Sequence, residues 1–456
     1  MFKKYQHIHF VGIGGIGMSG IAEVLLNLGY KVSGSDLKKT PLTSRLQKRG
    51  ARIFLGHAKD HVDSAEVVVV SSAVQEENPE VRQARQKNIP VVPRAEMLAE
   101  LMRMKYGIAV SGTHGKTTTT SMIGTILFEA GLDPTLIIGG RLNSLRSNAR
   151  LGKGEFLVAE ADESDQSFLK LNPTIAVITN IDPEHMENYK SFASVKQCYI
   201  AFANKVPFYG AVVACVDHPQ VRQILPSLCR RVVTYGIKSP AEYTAKNITQ
   251  QKTVMSFDVF YHGDLLGRAK LCQPGAHHVG NALAAIAVAR ELDIPFSKIV
   301  VGLKKFKGIS RRFEILRKED PMVADDYAHH PVEIEATIQA ARQGWPGYKI
   351  AVVLQPHRFS RLKLLWNDFV KTLAKPDLTV VLPVYAAGEK PMANITGKNL
   401  FMELREKNPK SQVTHAESLE EIRAALTPWV GPKTMILFLG AGDVTKMARE
   451  FCKNLC

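Results

Sequence analysis

The sequence lacks the features that mark membrane, secreted and zinc-thiolate proteins. No uninterrupted apolar run is long enough to span a membrane, although 45% of the 456 residues are hydrophobic. The six cysteines are scattered and include no Cys-x-x-Cys pair, which argues against structural zinc and a disulfide framework. The N-terminal residues lead directly into a predicted strand, so we expect no signal peptide and a cytoplasmic protein.

Long basic runs are also missing. The net charge is +16, but no run of five or more Lys and Arg residues occurs, and the densest clusters are pairs such as Arg311-Arg312. A nucleic-acid-binding face would need a stronger local cluster, whereas a dispersed positive charge fits anionic small molecules. We therefore expect no nucleic acid as partner. We also expect no membrane partner, because no apolar run is long enough to span one, and a monomer or weak homodimer.

Strands and helices alternate along most of the chain, which is typical of parallel α/β sheets. The length favours about three domains. We predict three consecutive α/β domains with mainly parallel sheets: a Rossmann-like domain at 1–105, a P-loop ATPase domain at 106–310 and a second Rossmann-like domain at 311–456. The segment from Lys307 to Arg312 has the composition of a hinge.

Hydrophobic patterning gives the predicted strands and two informative helices. The strands are His7–Gly12, Lys31–Ser35, Ala51–Leu55, Val67–Ser71, Pro90–Val92, Phe156–Glu160, Ile175–Asn180, Ala211–Val216, Phe313–Leu316, Met322–Asp325, Ile350–Leu354, Thr379–Val384 and Thr434–Leu439, with a strand-rich stretch at Tyr243–Leu271. The helices are Met18–Leu28 and Val279–Leu292.

The most informative motif is a glycine-rich loop between a strand and an amphipathic helix. Its glycines let backbone N–H groups converge on phosphate oxygens at the start of the helix. Lys116 is placed to reach the terminal phosphates, and the Thr117 hydroxyl is placed to join a Mg²⁺ shell. The loop predicts ATP binding through Gly112, Thr113, His114, Gly115, Lys116, Thr117 and Thr118.

A second glycine-rich loop, from Gly12 to Gly17, matches the pattern G-x-G-x-x-G after a strand. An acid, Asp36, ends the next strand. This arrangement is typical of dinucleotide binding, but the pyrophosphate and ribose of UDP satisfy the same geometry. Because a dehydrogenase has little use for the ATP loop, the two loops together favour a ligase that acts on a nucleotide-linked substrate.

Charged residues follow several predicted strands. Glu160 ends a strand next to the phosphate loop and is the best candidate for a Mg²⁺ ligand, and His185 follows the next strand. Asn281 precedes the main body of a predicted helix, and Arg312 lies in the hinge, where an arginine could bridge to phosphate. Arg358 and Arg361 would share one face of the first turn of a helix and grip a carboxylate or phosphate.

Five motifs in this order resemble the Mur ligases of bacterial peptidoglycan synthesis. They are Gly-Ile-Gly-Gly-Ile-Gly-Met-Ser-Gly from Gly12, Gly-Thr-His-Gly-Lys-Thr-Thr from Gly112, Glu-Ala-Asp-Glu-Ser-Asp from Glu160, Asp-Asp-Tyr-Ala-His-His-Pro from Asp325 and Gln-Pro-His-Arg-Phe-Ser-Arg from Gln355. The resemblance runs end to end and implies a UDP-substrate domain, a central ATPase domain and a Rossmann-like C-terminal domain.

Within that family, the resemblance implies an ATP-dependent amide ligase. It would phosphorylate the lactyl carboxylate of UDP-N-acetylmuramic acid and join L-alanine to the resulting acyl phosphate. The UDP-substrate site would comprise Gly12, Gly14, Gly15, Gly17, Met18, Ser19, Ser35, Asp36, Ser71 and Ser72. Thr117, Glu160 and His185 would belong to metal sites; Asn281, Arg312 and Asp326 would contact ATP or the closing interface; His329, His330, Arg358 and Arg361 would face the amino acid and the acyl phosphate. The catalytic set would be Lys116, His185, Arg312 and His330.

Four alternatives remain open at this point. A recycling ligase that adds a preformed tripeptide to the same UDP-sugar would share both loops and differ in the C-terminal domain. A folate polyglutamyl ligase would not need the N-terminal loop. An NAD-dependent oxidoreductase would not need the ATP loop with Lys116. A non-catalytic nucleotide-binding scaffold would not need the acids and arginines that follow the predicted strands.

Overall fold

The computed structural model of the chain describes residues 5–71, 73–142, 147–453 and 455. Within these residues the chain forms three sheets with helices between most successive strands, so the predicted fold class is confirmed. The chain divides into two compact units. Met1–Asn247, Phe257–Lys270 and Val279–Lys307 form the first, and Ile248–Ser256, Leu271–His278 and Gly308–Cys456 form the second.

The N-terminal sheet contains β1 (His7–Val11), β2 (Lys31–Asp36), β3 (Arg52–Leu55), β4 (Val67–Val70) and β5 (Val91–Pro93). The helices of this region are α1 (Ile16–Asn27), α2 (Pro41–Lys48), α3 (Pro79–Gln86) and α4 (Arg94–Met102). All strands are parallel, in the order β3-β2-β1-β4-β5. The order reverses between β1 and β4, and ligands of such sheets bind beyond the carboxyl ends of the strands at this reversal.

The central sheet contains β6 (Tyr106–Ser111), β7 (Thr135–Leu142), β8 (Ser147–Arg150), β9 (Phe156–Glu160), β10 (Ile175–Ile178), β11 (Ala211–Cys215), β12 (Val232–Gly236), β13 (Tyr243–Gln251), β14 (Val254–Tyr261) and β15 (Asp264–Leu271). Its helices are α5 (Lys116–Glu129), α6 (Phe192–Ala203), α7 (Pro219–Ile224), α8 (Ala276–Glu291) and α9 (Phe296–Lys305). The order is β15-β14-β13-β12-β11-β10-β6-β9-β7-β8. Because β6 pairs in parallel with both β10 and β9, the carboxyl ends of these three strands meet at one edge of the sheet.

The C-terminal sheet contains β16 (Glu314–Arg317), β17 (Met322–Asp326), β18 (Lys349–Leu354), β19 (Leu378–Val381), β20 (Gln412–His415) and β21 (Thr434–Leu439). Its helices are α10 (Pro331–Gly344), α11 (Phe359–Leu364), α12 (Trp366–Leu373), α13 (Gly397–Lys407), α14 (Leu419–Leu426) and α15 (Val444–Lys453). The order is β16-β17-β21-β18-β19-β20, with only the β16–β17 pair antiparallel among those described.

Both faces of the C-terminal sheet are buried, as expected for parallel strands between helices. Along β21, Met435, Leu437 and Leu439 pack into one apolar core, while Ile436 and Phe438 pack into the other. In the first unit, one apolar core extends over residues of both the N-terminal and the central sheet. These cores hold the strands rigidly, so that residues at the strand ends have fixed positions.

The predicted strands are present, with ends that differ by up to three residues. Among the predicted strand residues that fall outside the observed strands, Gly12, Ser71 and Asn180 lie in the loops just beyond β1, β4 and β10. The prediction missed β7, β8, β12 and β20. β7 contains a Gly-Gly pair, and β20 is short and polar, so neither has the apolar alternation on which the prediction relied. The domain boundaries near residues 105 and 310 stay predictions.

Across the described part of the chain, no helix combines the length and the apolar character needed to cross a membrane.

Candidate active site

The predicted phosphate loop connects the carboxyl end of β6 to the start of α5. Gly112 and Gly115 have φ angles of +131° and +82°, a region that favours glycine. A Cβ atom on Gly112 would lie 2.0 Å from Thr179 Oγ1, and one on Gly115 would lie 2.7 Å from Asn281 Oδ1. The loop backbone therefore follows its neighbours too closely for any side chain, and it ends at a helix start, where amide N–H groups favour phosphate.

Lys116 is the first residue of α5, and its ammonium group is held against the loop. Nζ donates to Gly112 O at 2.5 Å and to Glu163 Oε1 at 2.8 Å. Burial opposes the charge on Lys116, but the carboxylates of Glu163 and Asp162 outweigh burial and raise its pKa. The side chain is therefore a fixed positive charge at neutral pH, which is what offsetting phosphate charge requires.

Thr117 and Glu160 bring two oxygen ligands together beside this lysine. Thr117 Oγ1 donates to Glu160 Oε2 at 3.1 Å, and Gly139 N donates to Glu160 Oε1 at 2.5 Å. Desolvation raises the pKa of Glu160, so a cation would stabilise its ionised form. One buried oxygen of the neighbouring Glu163, Oε2, has no hydrogen-bond partner. Mg²⁺ typically takes one or two protein oxygens and completes its shell with phosphate and water, so this donor set fits it.

The third predicted metal ligand, His185, follows β10 with a φ of +55°. Its Nε2 lies 3.9 Å from Glu184 Oε2. Among the residues that the structure describes, no group of three or more His, Cys, Asp and Glu side chains could hold a metal ion. The structure thus joins Thr117 and Glu160, while the metal-binding and catalytic roles of His185 stay predictions.

Asp182, which the sequence analysis did not single out, braces the phosphate loop. Its backbone N donates to Thr113 Oγ1 at 2.9 Å, and its carboxylate lies 3.4 Å from His114 Nε2 and 3.2 Å from His218 Nε2. Burial opposes ionisation, but the two histidines hold the pKa of Asp182 well below its usual range. The sequence feature that could have identified Asp182 is its position just beyond β10, the strand that pairs with β6.

Asn281 lies at the phosphate loop, but not in the position that the sequence predicted. We expected it to precede the body of a helix, whereas α8 begins at Ala276 and Asn281 lies inside it. The histidine pair 277–278, two weak helix formers, obscured the first turn. Because Asn281 Oδ1 packs against Gly115, the helix positions this side chain at the loop, and its contact with ATP stays a prediction.

The N-terminal glycine loop connects β1 to α1 and is bonded to the end of β2. Gly12, with a φ of +81°, donates its N–H to Ser35 O at 2.9 Å. Gly14 N donates to Asp36 Oδ2 at 2.8 Å, and a Cβ on Gly14 would lie 2.7 Å from that oxygen. In dinucleotide-binding folds the acid at this position binds the ribose. Here Asp36 binds the loop itself, which weakens the NAD alternative.

Met18 and Ser19 were predicted to contact the UDP-substrate, but their side chains are buried in α1. Ser19 Oγ donates to Ile16 O at 3.0 Å. Both side chains therefore face the protein interior, and Ser19 N donates to Gly15 O at 2.8 Å, so the contacts of Met18 and Ser19 with substrate stay predictions.

The remaining predicted residues of this site lie around the same loop. Gly15 N donates to Gly12 O at 3.3 Å, and a Cβ on Gly12 would lie 3.3 Å from Ser71 Oγ. Gly17 is the second residue of α1 and lies close to Arg94. Ser72 lies outside the described residues.

A buried carboxylate, also missed by the sequence analysis, holds Ser35 in place. Glu80, in the first turn of α3, accepts from Ser35 Oγ at 2.5 Å and from His61 Nδ1 at 2.6 Å. His57 Nδ1 and His9 Nε2 lie 3.2 Å and 3.7 Å from the same carboxylate. Burial opposes ionisation, but the hydrogen bonds and imidazoles lower the pKa of Glu80 to about 2. We call these five residues the Glu80 cluster.

In the C-terminal sheet, Asp326 ends β17 and binds the backbone. Its carboxylate accepts from Phe313 N at 2.9 Å and from Ala328 N at 2.8 Å. Burial raises the pKa of Asp326 to about 6, against the opposing effect of Arg312. The structure therefore gives Asp326 a role in fixing two turns, and its contact with ATP stays a prediction.

Arg312 stands over an aromatic ring and remains partly exposed. Its guanidinium carbon lies 5.3 Å from the centroid of Tyr327, and Nη1 lies 3.8 Å from Glu333 Oε1. The planar guanidinium presents its N–H donors in a fixed geometry, which suits phosphate recognition. The geometry is compatible with the predicted catalytic and ATP-binding role, which it does not test.

His330 caps α10 with its side chain. Nδ1 accepts from Val332 N at 3.3 Å, which in the neutral ring leaves the proton on Nε2. The neighbouring His329 Nδ1 lies 2.8 Å from Tyr327 O and 3.3 Å from Glu333 Oε2. Both histidines lie just beyond β17, at the carboxyl edge of the sheet where the sequence placed them.

Arg358 and Arg361 are not both in the first helical turn, as we had expected. Arg358 precedes α11 with a φ of +69°, and its Nη1 lies 4.0 Å from Glu389 Oε1. Arg361 lies within α11, is largely buried, and has Nη1 at 3.2 Å from His357 Nδ1. Burial and the nearby cations lower the pKa of His357 to about 4. His357 also stacks on Tyr385 with ring centroids 5.5 Å apart, and the sequence analysis did not assign it a role.

Comparison with known families accounts for most of the chain. The family model described as Mur ligase family, catalytic domain, matches residues 7–106; Mur ligase middle domain matches 110–289; and Mur ligase, glutamate ligase domain, matches 311–442. The chain belongs to the Mur ligase family.

Two curated relatives of this Mur ligase are similar along its whole length. The UDP-N-acetylmuramate–L-alanine ligase of Geotalea uraniireducens is 52% identical over 456 residues, which are 100% of this chain and 99% of the relative. The enzyme of the same name from Geobacter sulfurreducens is 50% identical over 457 residues, again 100% and 99% of the two chains.

Solved structures resemble this Mur ligase over nearly all residues. The UDP-N-acetylmuramate-alanine ligase of Thermotoga maritima has a TM-score of 0.83 at 32% identity and covers 98% of both chains. A murein peptide ligase from Psychrobacter arcticus has a TM-score of 0.69 at 21% identity, covering 99% of this chain and 98% of the other, and shares the fold.

Proposed function

We propose that this Mur ligase uses ATP and Mg²⁺ to join L-alanine to the lactyl carboxylate of UDP-N-acetylmuramic acid. The products are UDP-N-acetylmuramoyl-L-alanine, ADP and phosphate, a step of peptidoglycan precursor synthesis. The observation that carries the proposal is the phosphate loop that fixes Lys116 beside Thr117 and Glu160. Full-length similarity to enzymes of that name, at about half the residues identical, supports it.

The reaction has two displacements. A lactyl carboxylate oxygen attacks the γ-phosphorus of ATP, which forms an acyl phosphate and releases ADP. The neutral amine of alanine then attacks the acyl carbon. The tetrahedral intermediate collapses to the amide, which keeps one N–H, with release of phosphate and one amine proton. Negative charge accumulates on crowded oxygens in both steps, so fixed positive charge accelerates each of them.

Lys116 supplies that charge from the protein. Its ammonium is held by the Gly112 carbonyl and Glu163, so it needs little reorganisation when phosphate binds. Thr117 and Glu160 would hold Mg²⁺, with His185 as a further predicted ligand. When bound, the ion supplies Lewis-acid charge stabilisation at the phosphate oxygens.

We assign the UDP-sugar to the N-terminal glycine loop and alanine to the C-terminal domain. The loop offers backbone N–H groups at the start of α1, which suit a diphosphate. His329, His330, Arg358 and Arg361 lie beyond the carboxyl ends of β17 and β18. A largely buried guanidinium such as that of Arg361 is suited to a bidentate contact with the small carboxylate of alanine.

A coupled assay of ADP release tests the proposal against its alternatives. We expect turnover with UDP-N-acetylmuramate, ATP and L-alanine, and none with folate substrates or with a tripeptide in place of alanine. Preference for the tripeptide would favour the recycling ligase. In calorimetry, NAD should not displace UDP-N-acetylmuramate, and tight NAD binding or hydride transfer would contradict the proposal.

Such an enzyme needs ATP and a nucleotide sugar, so we propose a cytoplasmic location. We propose a monomer or weak homodimer, which sedimentation at several concentrations would test.

A further inference from the structure

Arg94 is a cation at the N-terminal glycine loop that the function proposed above does not use. It is the first residue of α4 and follows β5 directly. A Cβ atom on Gly17 would lie 3.0 Å from Arg94 Nη1 and 3.2 Å from its Cδ. The Arg94 side chain therefore crosses the first turn of α1, and it occupies the space that any larger residue at position 17 would need.

This location is electrostatically unusual. The first turn of a helix carries the positive end of the helix dipole, where cations are unfavourable and anions are stabilised. The described carboxylate partner of Arg94 is Asp162, whose Oδ2 lies 3.4 Å from Nη2, with side-chain exposures of 22% for Arg94 and 40% for Asp162. A long, partly exposed ion pair of this kind contributes little stability. A stable fold alone does not explain why an arginine lies over this helix start.

Asp162 also connects Arg94 to the phosphate loop. It lies on the segment that follows β9, together with Glu163, the ion-pair partner of Lys116. Burial opposes ionisation of Asp162, but Lys116 and Arg94 lower its pKa. The cation beside the UDP-substrate loop and the cation of the ATP loop thus interact with the same carboxylate.

We propose that Arg94 binds the diphosphate of the UDP-sugar over the first turn of α1, together with the backbone N–H groups of that turn. The inference rests on the proposed function, and it names a binding residue outside the G-x-G-x-x-G motif. The proposed contact also explains why position 17 is a glycine, since the absent side chain leaves room for the Arg94 guanidinium. Asp162 holds the guanidinium through a contact weak enough for a diphosphate to replace.

The test is a comparison of Arg94→Ala and Arg94→Lys with a matched control on the same helix. Arg103, at the end of α4, is exposed and pairs with Glu100 at 2.7 Å in an i,i+3 contact. Arg103 is the residue just after α4, so Arg103→Ala removes the same charge from the opposite end of this helix, away from the loop. Steady-state kinetics would give KM for UDP-N-acetylmuramate, ATP and alanine, and calorimetry would give Kd for UDP-N-acetylmuramate and for UDP alone.

We expect Arg94→Ala to raise KM for UDP-N-acetylmuramate and Kd for UDP by about 10- to 100-fold, the scale of one charge-assisted contact. KM for ATP and alanine should stay within about twofold of the parent, because uniform binding of one substrate is lost. Arg94→Lys should recover part of the affinity, since it keeps the charge but not the bidentate geometry. Arg103→Ala should behave as the parent.

Two results would overturn the inference. Parental Kd values for UDP in Arg94→Ala would exclude the diphosphate contact, even if affinity for UDP-N-acetylmuramate fell through another part of the sugar. Equal losses for all three substrates in both Arg94 variants would indicate a merely structural role. A parent enzyme that binds UDP but does not turn over UDP-N-acetylmuramate, ATP and alanine would instead contradict the proposed function. The two failures are therefore distinguishable.

Discussion

Replacing Glu80 with glutamine should destabilise the N-terminal sheet without touching the proposed catalytic residues. The carboxylate of Glu80 is fully buried and accepts hydrogen bonds from Ser35 and His61, while His57 and His9 lie nearby. Glutamine keeps the shape but removes the charge, and its amide group places a donor where imidazole N–H groups need an acceptor.

The magnitude follows from the pKa of Glu80. Its value falls from an ordinary 4.5 to about 2, and each unit corresponds to about 1.4 kcal/mol, so ionisation stabilises the folded state by about 3 kcal/mol. Because the pKa is lower in the folded state, this contribution is present above pH 4.5 and is lost as the pH falls from 4.5 towards 2. Burial also lowers the pKa of His9, so protonation below its ordinary value of 6.5 favours unfolding and adds to the same acid-side loss.

Urea unfolding at pH 7 would measure the effect, with Glu76→Gln as control, because Glu76 is exposed and pairs only at the surface with Arg85. Hydrogen exchange over β1 and β2 would localise it. Tryptophan fluorescence reports unfolding of the C-terminal region, because the only tryptophans are Trp345, Trp366 and Trp429. This signal serves as an internal reference, since Glu80→Gln should leave that region unchanged. Equal stability of Glu80→Gln and the parent at pH 7, or a Glu80 titration near 4.5, would refute the reasoning.

Three further predictions concern the proposed catalytic machinery. Lys116→Ala should lower kcat by about 10²- to 10³-fold in the ADP-release assay, and a loss within tenfold would sink the assigned role. Gly112→Ala should abolish stabilisation by ATP in thermal melts, because its Cβ would lie 2.0 Å from Thr179 Oγ1 at a φ of +131°; a parental shift would contradict the loop geometry. Arg361→Ala should raise KM for alanine by about 10- to 100-fold and leave KM for the UDP-sugar unchanged, whereas a parental KM for alanine would remove Arg361 from the alanine site.

The sequence predicted those parts of the candidate site that are contiguous in the chain. The phosphate loop follows a strand and opens a helix, so one stretch specifies both its backbone and the place of Lys116. Glu160 could be predicted because strand ends of a parallel sheet meet at one edge. The pairing of Thr117 with Glu160 at 3.1 Å bears out that neighbourhood, although it does not test metal binding.

Residues that depend on distant contacts could not be predicted. His218 reaches Asp182 from 36 positions further along the chain, and Glu80 reaches Ser35 from 45 positions away. Each is an ordinary polar residue in its local sequence and becomes a partner only through the order of the strands. Arg358 shows that a local pattern can also mislead. Helical spacing predicted that it would share a helix face with Arg361, but Arg358 has a positive φ and lies just before α11 begins.

The N-terminal loop shows why a glycine pattern specifies backbone geometry rather than a ligand. Its spacing was compatible with both NAD and UDP, because both have a pyrophosphate that binds at the start of a helix. What separates them are side chains from other strands and helices. Asp36, the residue that would bind the ribose of NAD, accepts the N–H of Gly14, and Arg94 from α4 lies over Gly17. Neither contact can be read from the spacing of glycines, because both are made by side chains from other elements. The Asp36 contact disfavours NAD, whereas Arg94 places a positive charge over the helix start.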